Sequence, residues 1–302
     1  MVKDKTVGEI MIKDIISVSQ EEKITTAAII MSDKNIGSVL VVDNNDPIGI
    51  LTEKDLLKKV VAPGKDPKGL VVRDIMTSSL ITVKTDTSIF NAHAIMQEKK
   101  FRRLPVVDKN KLKGIVTETD LSKAMRDYGE IIKPKVETEP LKEINEPMHK
   151  FNLKDGHSYV FVEENQNKVY DAFVGKVLEG YAGLGILRVS PEKLKKKYGL
   201  KKTFMVWLSE VPGENCIKPT EIEKLLYTMS SFINKAKKSV ILFDGLEYIE
   251  SYTSFKEVFH LLQNLVDKVS LTNSILLVSM DKGTFDEKEF HLLERGLKVI
   301  DK

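Results

Sequence analysis

The chain has little of several things. One cysteine, Cys216, among 302 residues excludes an intrachain disulfide and fits a reducing compartment. No apolar run approaches the ~20 residues that a membrane-crossing helix needs, and the first residues lack the apolar core of a secretory signal. Together these absences lead us to expect a cytoplasmic protein with no membrane partner. A surplus of one charge is also missing: 47 basic residues face 44 acidic ones, divided 20 against 17 before Arg126 and 27 against 27 from there on. Neither half is a basic footprint, so a nucleic-acid partner is disfavoured. The motif G-x-x-x-x-G-K-[ST] occurs nowhere, and Gly180-Tyr181-Ala182-Gly183-Leu184-Gly185 has no lysine after its last glycine. Without that lysine and its phosphate cradle, P-loop hydrolysis is not expected. No nucleophile–base pair and no set of metal ligands stands out, so no catalytic residue is assigned and an enzyme is not the leading expectation.

What the chain does have is a repeat. Gly114-Ile115-Val116-Thr117-Glu118-Thr119-Asp120-Leu121 restates Gly49-Ile50-Leu51-Thr52-Glu53-Lys54-Asp55-Leu56 at an offset of 65 residues. The same offset, without a gap, brings Ile10-Met11 onto Ile75-Met76 and Val41-Val42-Asp43 onto Val106-Val107-Asp108. Roughly 21 of about 54 aligned positions are identical, which chance does not explain. Each copy reads as a short strand, an amphipathic helix, a hairpin and a second helix. Ile24, Ala27, Ala28 and Met31 mark the first helix of one copy, and Ile89, Ala92, His93 and Met96 that of the other. The hairpin strands are Ser38 to Asp43 with Ile48 to Leu51, and Leu104 to Asp108 with Lys113 to Val116. Thr52 and Thr117 stand where a strand gives way to a helix, with Asp55 and Asp120 three residues on. T-x-x-D at a helix start is a capping box. The same end of a helix offers unpaired N–H groups that can hold a phosphate, and an ionised aspartate there can accept from two ribose hydroxyls.

The Ile-Met lead-in, the strand ending Val-Val-Asp and the Gly-Ile-hydrophobic-Thr-x-x-Asp run, all present twice, resemble a tandem pair of cystathionine-β-synthase (CBS) domains, or Bateman module. The resemblance covers about residues 7–125, with repeats at 7–60 and 72–125. It implies two β-α-β-β-α units packed by their sheets about a pseudo-two-fold axis, with two clefts for adenosine-containing ligands: AMP, ADP, ATP or S-adenosylmethionine. It further implies that Asp55 and Asp120 bind ribose, that Thr52 and Thr117 lie near ribose or phosphate, and that Ile50 and Ile115, with lead-in residues near Ile16 and Ile81, wall the adenine. A homodimer through the CBS modules is also implied. Repeat two carries Phe101-Arg102-Arg103-Leu104-Pro105 where repeat one has Ile36-Gly37-Ser38-Val39-Leu40. By resemblance Arg103 reaches phosphate, a role that suits a guanidinium fork. Repeat two is therefore expected to hold the better site, with Thr117, Asp120 and Arg103 acting together.

Residues 126–150 read as a linker, because Pro134, Pro140 and Pro147 mixed with charge break any helix. Residues 151–302 alternate strand and helix patterns with strands apolar on both faces, which argues for a parallel α/β domain. Helices are expected over 169–178, 191–198, 220–236 with Thr220 as cap, 254–269 and 286–295. The glycines of 180–185 are expected to form a turn before a strand at 185–189. Val240 to Asp244 looks like a Walker B strand without its partner motif. The runs Tyr159-Val160-Phe161-Val162-Glu163, Arg188-Val189-Ser190-Pro191, Val206-Trp207-Leu208-Ser209, Leu242 to Tyr248 and Leu292 to Arg295 resemble a largely archaeal domain family of unknown function, number 835. That family implies a Rossmann-like, P-loop-like architecture without a P-loop and with no assigned activity. Arg188, Trp207, Asp244 and Glu247 are candidates for the carboxyl edge of its sheet. The expected whole is a regulatory adenine-nucleotide sensor signalling to a C-terminal domain that binds an unknown protein partner. The alternative is an enzyme whose C-terminal active site is gated by the CBS pair.

Overall fold

The computed structural model describes residues 5–44, 46–109, 111–137, 151–163, 167–281, 283 and 285–300. Two compact units divide between Met125 and Arg126.

In the first unit each repeat builds a three-stranded sheet. Strands β1 (Ser17–Val18), β2 (Ser38–Asp43) and β3 (Asp46–Thr52) form one, and β4 (Val83–Lys84), β5 (Arg103–Asp108) and β6 (Lys111–Thr117) the other. The first strand of each sheet runs parallel to the second, and the hairpins β2–β3 and β5–β6 are antiparallel, each with a register shift after Val41 or Val106. Asn44 and Lys109 turn the hairpins with φ of 47° and 48°. The expected helices appear as Ile24–Asp33 and Ile89–Lys99, burying Ile24, Ala27 and Met31 in one and Ile89, Ala92 and Met96 in the other. The two sheets lie against each other at β3 and β6.

The second unit holds a seven-stranded, all-parallel sheet. Its members are β7 (His157–Val162), β8 (Ala182–Leu187), β9 (Phe204–Leu208), β10 (Cys216–Ile217), β11 (Ser239–Phe243), β12 (Ser274–Met280) and β13 (Lys298–Ile300), in the order β10-β9-β8-β11-β12-β7-β13. Helices cover both faces, as a parallel sheet requires. Val240 and Leu242 of β11 pack with Phe173 and Val177 of helix Asn167–Leu178. Their neighbours Ile241 and Phe243 face the opposite core with Phe232 of helix Ile222–Lys235 and Leu261 of helix Phe255–Ser270. The chain leaves β8 outward to β9 but leaves β11 towards β12, so the carboxyl ends of β8 and β11 flank the point where the winding reverses.

Three expectations change. Gly183 and Gly185 lie inside fully buried β8 and form no turn; a Cβ on Gly183 would meet Val177 and Phe173 side chains at 2.8 and 3.0 Å. The turn is made by Gly180, at φ 90°. The helix expected to be capped by Thr220 has Glu221 at that position, where its carboxylate accepts from the Lys218 N–H at 3.0 Å. Finally, residues 126–137 of the expected linker are structured. Helix Glu118–Ile131 continues past Arg126, Ile132 is 1% exposed in the second unit's core, and Glu137 accepts from the N–H groups of Lys202 and Thr203 at 2.6 and 2.8 Å. The apolar residues Tyr128 and Ile132 carry the fold past the point where composition turns linker-like, and the first proline follows only at 134. Residues 138–150, with the other two prolines, lie outside the described residues.

Candidate functional site

The duplicated motif folds the same way twice. Thr52 caps helix Glu53–Leu56: Asp55 Oδ2 accepts from the Thr52 N–H at 3.0 Å and hydroxyl at 2.5 Å, and the Asp55 N–H donates to Thr52 Oγ1 at 3.2 Å. In repeat two Asp120 Oδ2 accepts from the Thr117 N–H at 3.0 Å and hydroxyl at 2.6 Å, and Thr117 Oγ1 accepts from the Asp120 N–H at 3.3 Å. The bonds between the two side chains and the cap fix the carboxylate at the helix start.

The lead-in segments cross. Ile50 exchanges N–H···O bonds of 3.0 and 2.9 Å with Thr77, which belongs to repeat two, and Ile115 exchanges bonds of 3.0 and 2.9 Å with Ile12 of repeat one. The glycine before each isoleucine permits this approach. A Cβ on Gly49 would meet Met76 Sδ at 2.7 Å, and one on Gly114 would meet Met11 Sδ at 2.6 Å and the Ile12 carbonyl oxygen at 2.8 Å. The Gly-Ile and Ile-Met motifs are thus two sides of one junction, made twice.

Crossing decides which residues share a cleft. A cavity of about 980 Å³ is lined by Ile50, Thr52, Lys54 and Asp55 of repeat one, and by Thr77, Leu80, Ile81, Lys99, Lys100, Phe101, Arg102, Arg103 and Pro105 of repeat two. Its size is ample for a small-molecule ligand. The cavity groups Arg103 and Ile81 with Thr52 and Asp55, whereas the expectation groups Arg103 with Thr117 and Asp120. Arg103 pairs with Thr117 in the β5–β6 register, yet its guanidinium reaches towards repeat one, where Nη2 would lie 3.0 Å from a Cβ on Gly37. Ile16 packs on the repeat-one core, and the Ile12–Ile115 bridge sets its segment beside Ile115, the mirror of Ile81 beside Ile50.

The two aspartates differ in one respect. Asp55 Oδ1 also receives Lys59 Nζ at 2.9 Å, and the same ammonium donates to the Ile75 carbonyl at 2.7 Å. Burial pushes the Asp55 carboxyl up, but the bonds from Lys59 and Thr52 and the Lys59 charge outweigh it and hold the carboxyl below its ordinary value. Sequence reasoning missed Lys59. The signal lay in the alignment of the repeats, where Ala124 occupies its place.

At the carboxyl edge of the second unit's sheet, the four candidates do come together, each already engaged. Asp244 is 4% exposed and accepts from the Tyr170 hydroxyl at 2.7 Å. Burial, with the charges of Glu247 and Glu163 adding to it, pushes its carboxyl up to about 6 against that hydrogen bond. Arg188 stacks 3.8 Å over the Tyr248 ring, the Trp207 indole N–H donates to the Arg188 carbonyl at 3.0 Å, and Glu247 accepts from the Asp281 N–H at 2.8 Å. Glu163, directly after β7, accepts from the N–H groups of Lys168 and Val169 at 3.1 and 2.9 Å. A side-chain carboxylate thus caps the N-terminal turn of helix Asn167–Leu178. No group of three potential metal ligands occurs among the described residues. No helix among them is long and apolar enough to cross a membrane.

Comparison with known proteins agrees with this division. The family model described as CBS domain matches residues 7–62 and 72–127, and that described as protein of unknown function (DUF835) matches 162–297. An uncharacterized protein of Methanopyrus kandleri is 46% identical over 118 residues, 38% of this chain, and the chain spans 60% of that protein. Hypoxic response protein 1 of Mycobacterium tuberculosis is 31% identical over 124 residues, 41% of this chain and 87% of that protein. A crystal structure of CBSX2 in complex with AMP matches at 28% identity and TM-score 0.37, covering 41% of this chain and 97% of that one. With both repeats and the following domain matched, the chain belongs to the CBS-domain family and carries a tandem CBS pair followed by a DUF835 domain.

Proposed function

We propose that the CBS pair senses an adenine nucleotide, AMP, ADP or ATP, in the cleft between Asp55 and Arg103. The observation that carries this reading is the composition of that one cavity. Thr52 and Asp55 supply ribose acceptors at a helix start, Ile50, Ile81 and Phe101 supply apolar wall, and Arg102 and Arg103 supply a cationic end. S-adenosylmethionine, which bears a positive charge and no phosphate, fits a cationic end less well than a nucleotide does. The signal passes to the C-terminal domain, which acts by binding a protein partner and not by catalysis. Two observations support this. Helix Glu118–Ile131 carries Asp120 in its first turn and Tyr128, which packs on the second unit's core, near its end, and Glu163 already caps the N–H groups of Lys168 and Val169. Exposed apolar residues on the repeat-one helices, Ile29, Leu57 and Val61, favour a homodimer through the CBS unit.

Native mass spectrometry of the purified full chain, followed by calorimetry with AMP, ADP, ATP and S-adenosylmethionine, tests the reading. A phosphate-bearing adenine nucleotide is expected to bind most tightly. Binding of none of the four, or preference for S-adenosylmethionine, overturns it.

A further inference from the structure

The Lys59–Asp55–Ile75 arrangement has no counterpart in repeat two, where residue 124 is alanine, and it stands at an irregular piece of helix. After Glu53–Leu56 the chain widens into a π-helical turn, Leu57–Val61, whereas Glu118–Ile131 continues as regular α-helix. Such turns recur at functional sites because they shift side chains off the regular helical register. Lys59 does not line the cavity that Asp55 lines. Its ammonium meets Oδ1 at 2.9 Å, while the Thr52 N–H and hydroxyl hold Oδ2 at 3.0 and 2.5 Å. Both oxygens of the carboxylate are thus fixed; Oδ2 already accepts two bonds, and Oδ1 keeps a lone pair for a ligand hydroxyl. The same ammonium is tied to the Ile75 carbonyl, two residues before Thr77 at the cavity wall.

We propose that Lys59 is a positioning residue that presets Asp55 Oδ1 for a ribose hydroxyl and locks it to the lead-in segment of repeat two, making the Asp55 cleft the higher-affinity of the two. This rests on the adenine-nucleotide reading of that cleft. Asp120 has only its Thr117 cap among the described residues, which holds Oδ2 and leaves Oδ1 to be oriented by the ligand, at a cost in affinity. A consequence concerns acidity. Lys59 holds the Asp55 carboxyl down, whereas burial alone would raise it. The remaining charges around the cleft are Glu53 and Lys54 on its own helix, and Lys99, Lys100, Arg102, Arg103 and Glu118 on repeat two.

The test is calorimetry of AMP on the full chain, with Lys59→Met, which keeps the aliphatic stem, and Lys59→Ala, at about pH 7 and about pH 5. Both variants should bind about fivefold more weakly at neutral pH, and the deficit should widen at the lower pH as Asp55 begins to take up a proton. A lysine that only braced the helix would leave the pH dependence unchanged. Wild-type affinity at both pH values in either variant, or a loss that does not depend on pH, overturns the proposal. Asp55→Ala separates the two levels: if it weakens binding while Lys59→Met does not, the cleft stands and the positioning role falls. If wild type binds no AMP, both fall.

Discussion

Arg103 and Asp55 come from different repeats, and their cooperation is the sharpest consequence of the crossed lead-ins. Asp55→Ala removes the carboxylate that would accept from ribose, a loss of ~1–3 kcal/mol, or about 5- to 150-fold in Kd. Arg103→Ala removes a charge-assisted bond to phosphate, worth ~1.5–3 kcal/mol. Two groups gripping one ligand couple by about 0.5–3 kcal/mol, whereas groups at separate sites add to within ~0.5 kcal/mol. A double-mutant cycle on ATP binding, read by calorimetry, should therefore show coupling between Arg103→Ala and Asp55→Ala and none between Arg103→Ala and Asp120→Ala. Saturation offers a second reading. At 100 times Kd, ATP stabilises the folded unit by about 2.7 kcal/mol, raising Tm by roughly 10 °C. Arg103→Ala and Asp55→Ala should each lower this shift at fixed ATP. The result that refutes the reasoning is Arg103→Ala coupling to Asp120→Ala and not to Asp55→Ala, which would restore the grouping of Arg103 with its own repeat.

Gly114→Ala sets a Cβ 2.8 Å from the Ile12 carbonyl oxygen, backbone that cannot swing aside, so it should cost about 1–3 kcal/mol; a variant melting like wild type would remove the close-approach account of the Gly-Ile motif. Glu163→Ala strips two N–H groups of their acceptor and should cost about 1 kcal/mol in urea unfolding, while both it and wild type turn over no ATP. Steady turnover that vanishes in Asp244→Ala would sink the non-catalytic reading of the C-terminal domain. Asp244, pushed up to about 6, binds its proton more tightly folded than unfolded, where the value is ~3.9. Its contribution to stability is therefore complete below about pH 4 and lost as pH rises through about 6, on the order of 3 kcal/mol in all. Asp244→Asn, which retains an oxygen for the Tyr170 hydroxyl, should gain stability over wild type at pH ~7 and lose that advantage near pH ~4; a difference between the two that does not change with pH would contradict this.

The elements were legible where one physical signal dominated. Val240 to Phe243 is apolar on both faces, and the structure buries it between two helical layers. Thr52 with Asp55, and Thr117 with Asp120, announced helix starts through side-chain chemistry that acts within four residues. Glycine misled at 183 and 185, because the same lack of a side chain that makes a turn also lets a buried strand take the Val177 and Phe173 side chains against it. The grouping of Arg103 was illegible for a different reason. A period of 65 residues states which positions are equivalent and is silent on which are neighbours. Ile50 meets Thr77 through backbone hydrogen bonds, which leave no mark on side-chain identity. The one trace is indirect: Gly49 and Gly114 repeat in step with Met76 and Met11, the side chains they must admit.

That crossing changes what a substitution in either repeat does. If each repeat closed its own cleft, the pair would be two independent sensors, and changes in repeat two would alter only the site at Asp120. Because Thr77, Ile81, Arg102 and Arg103 line the cavity that Asp55 lines, the charge of the repeat-one cleft is written in repeat two. The positions equivalent to Arg102 and Arg103 are Gly37 and Ser38, so repeat one returns no cation from those places to the Asp120 side. On the proposed reading, phosphate recognition would therefore concentrate on one cleft of the duplicated pair. A ligand filling that cleft also spans β3 and the β4–β5 repeat, and its binding energy acts on the junction between the repeats and not within either one.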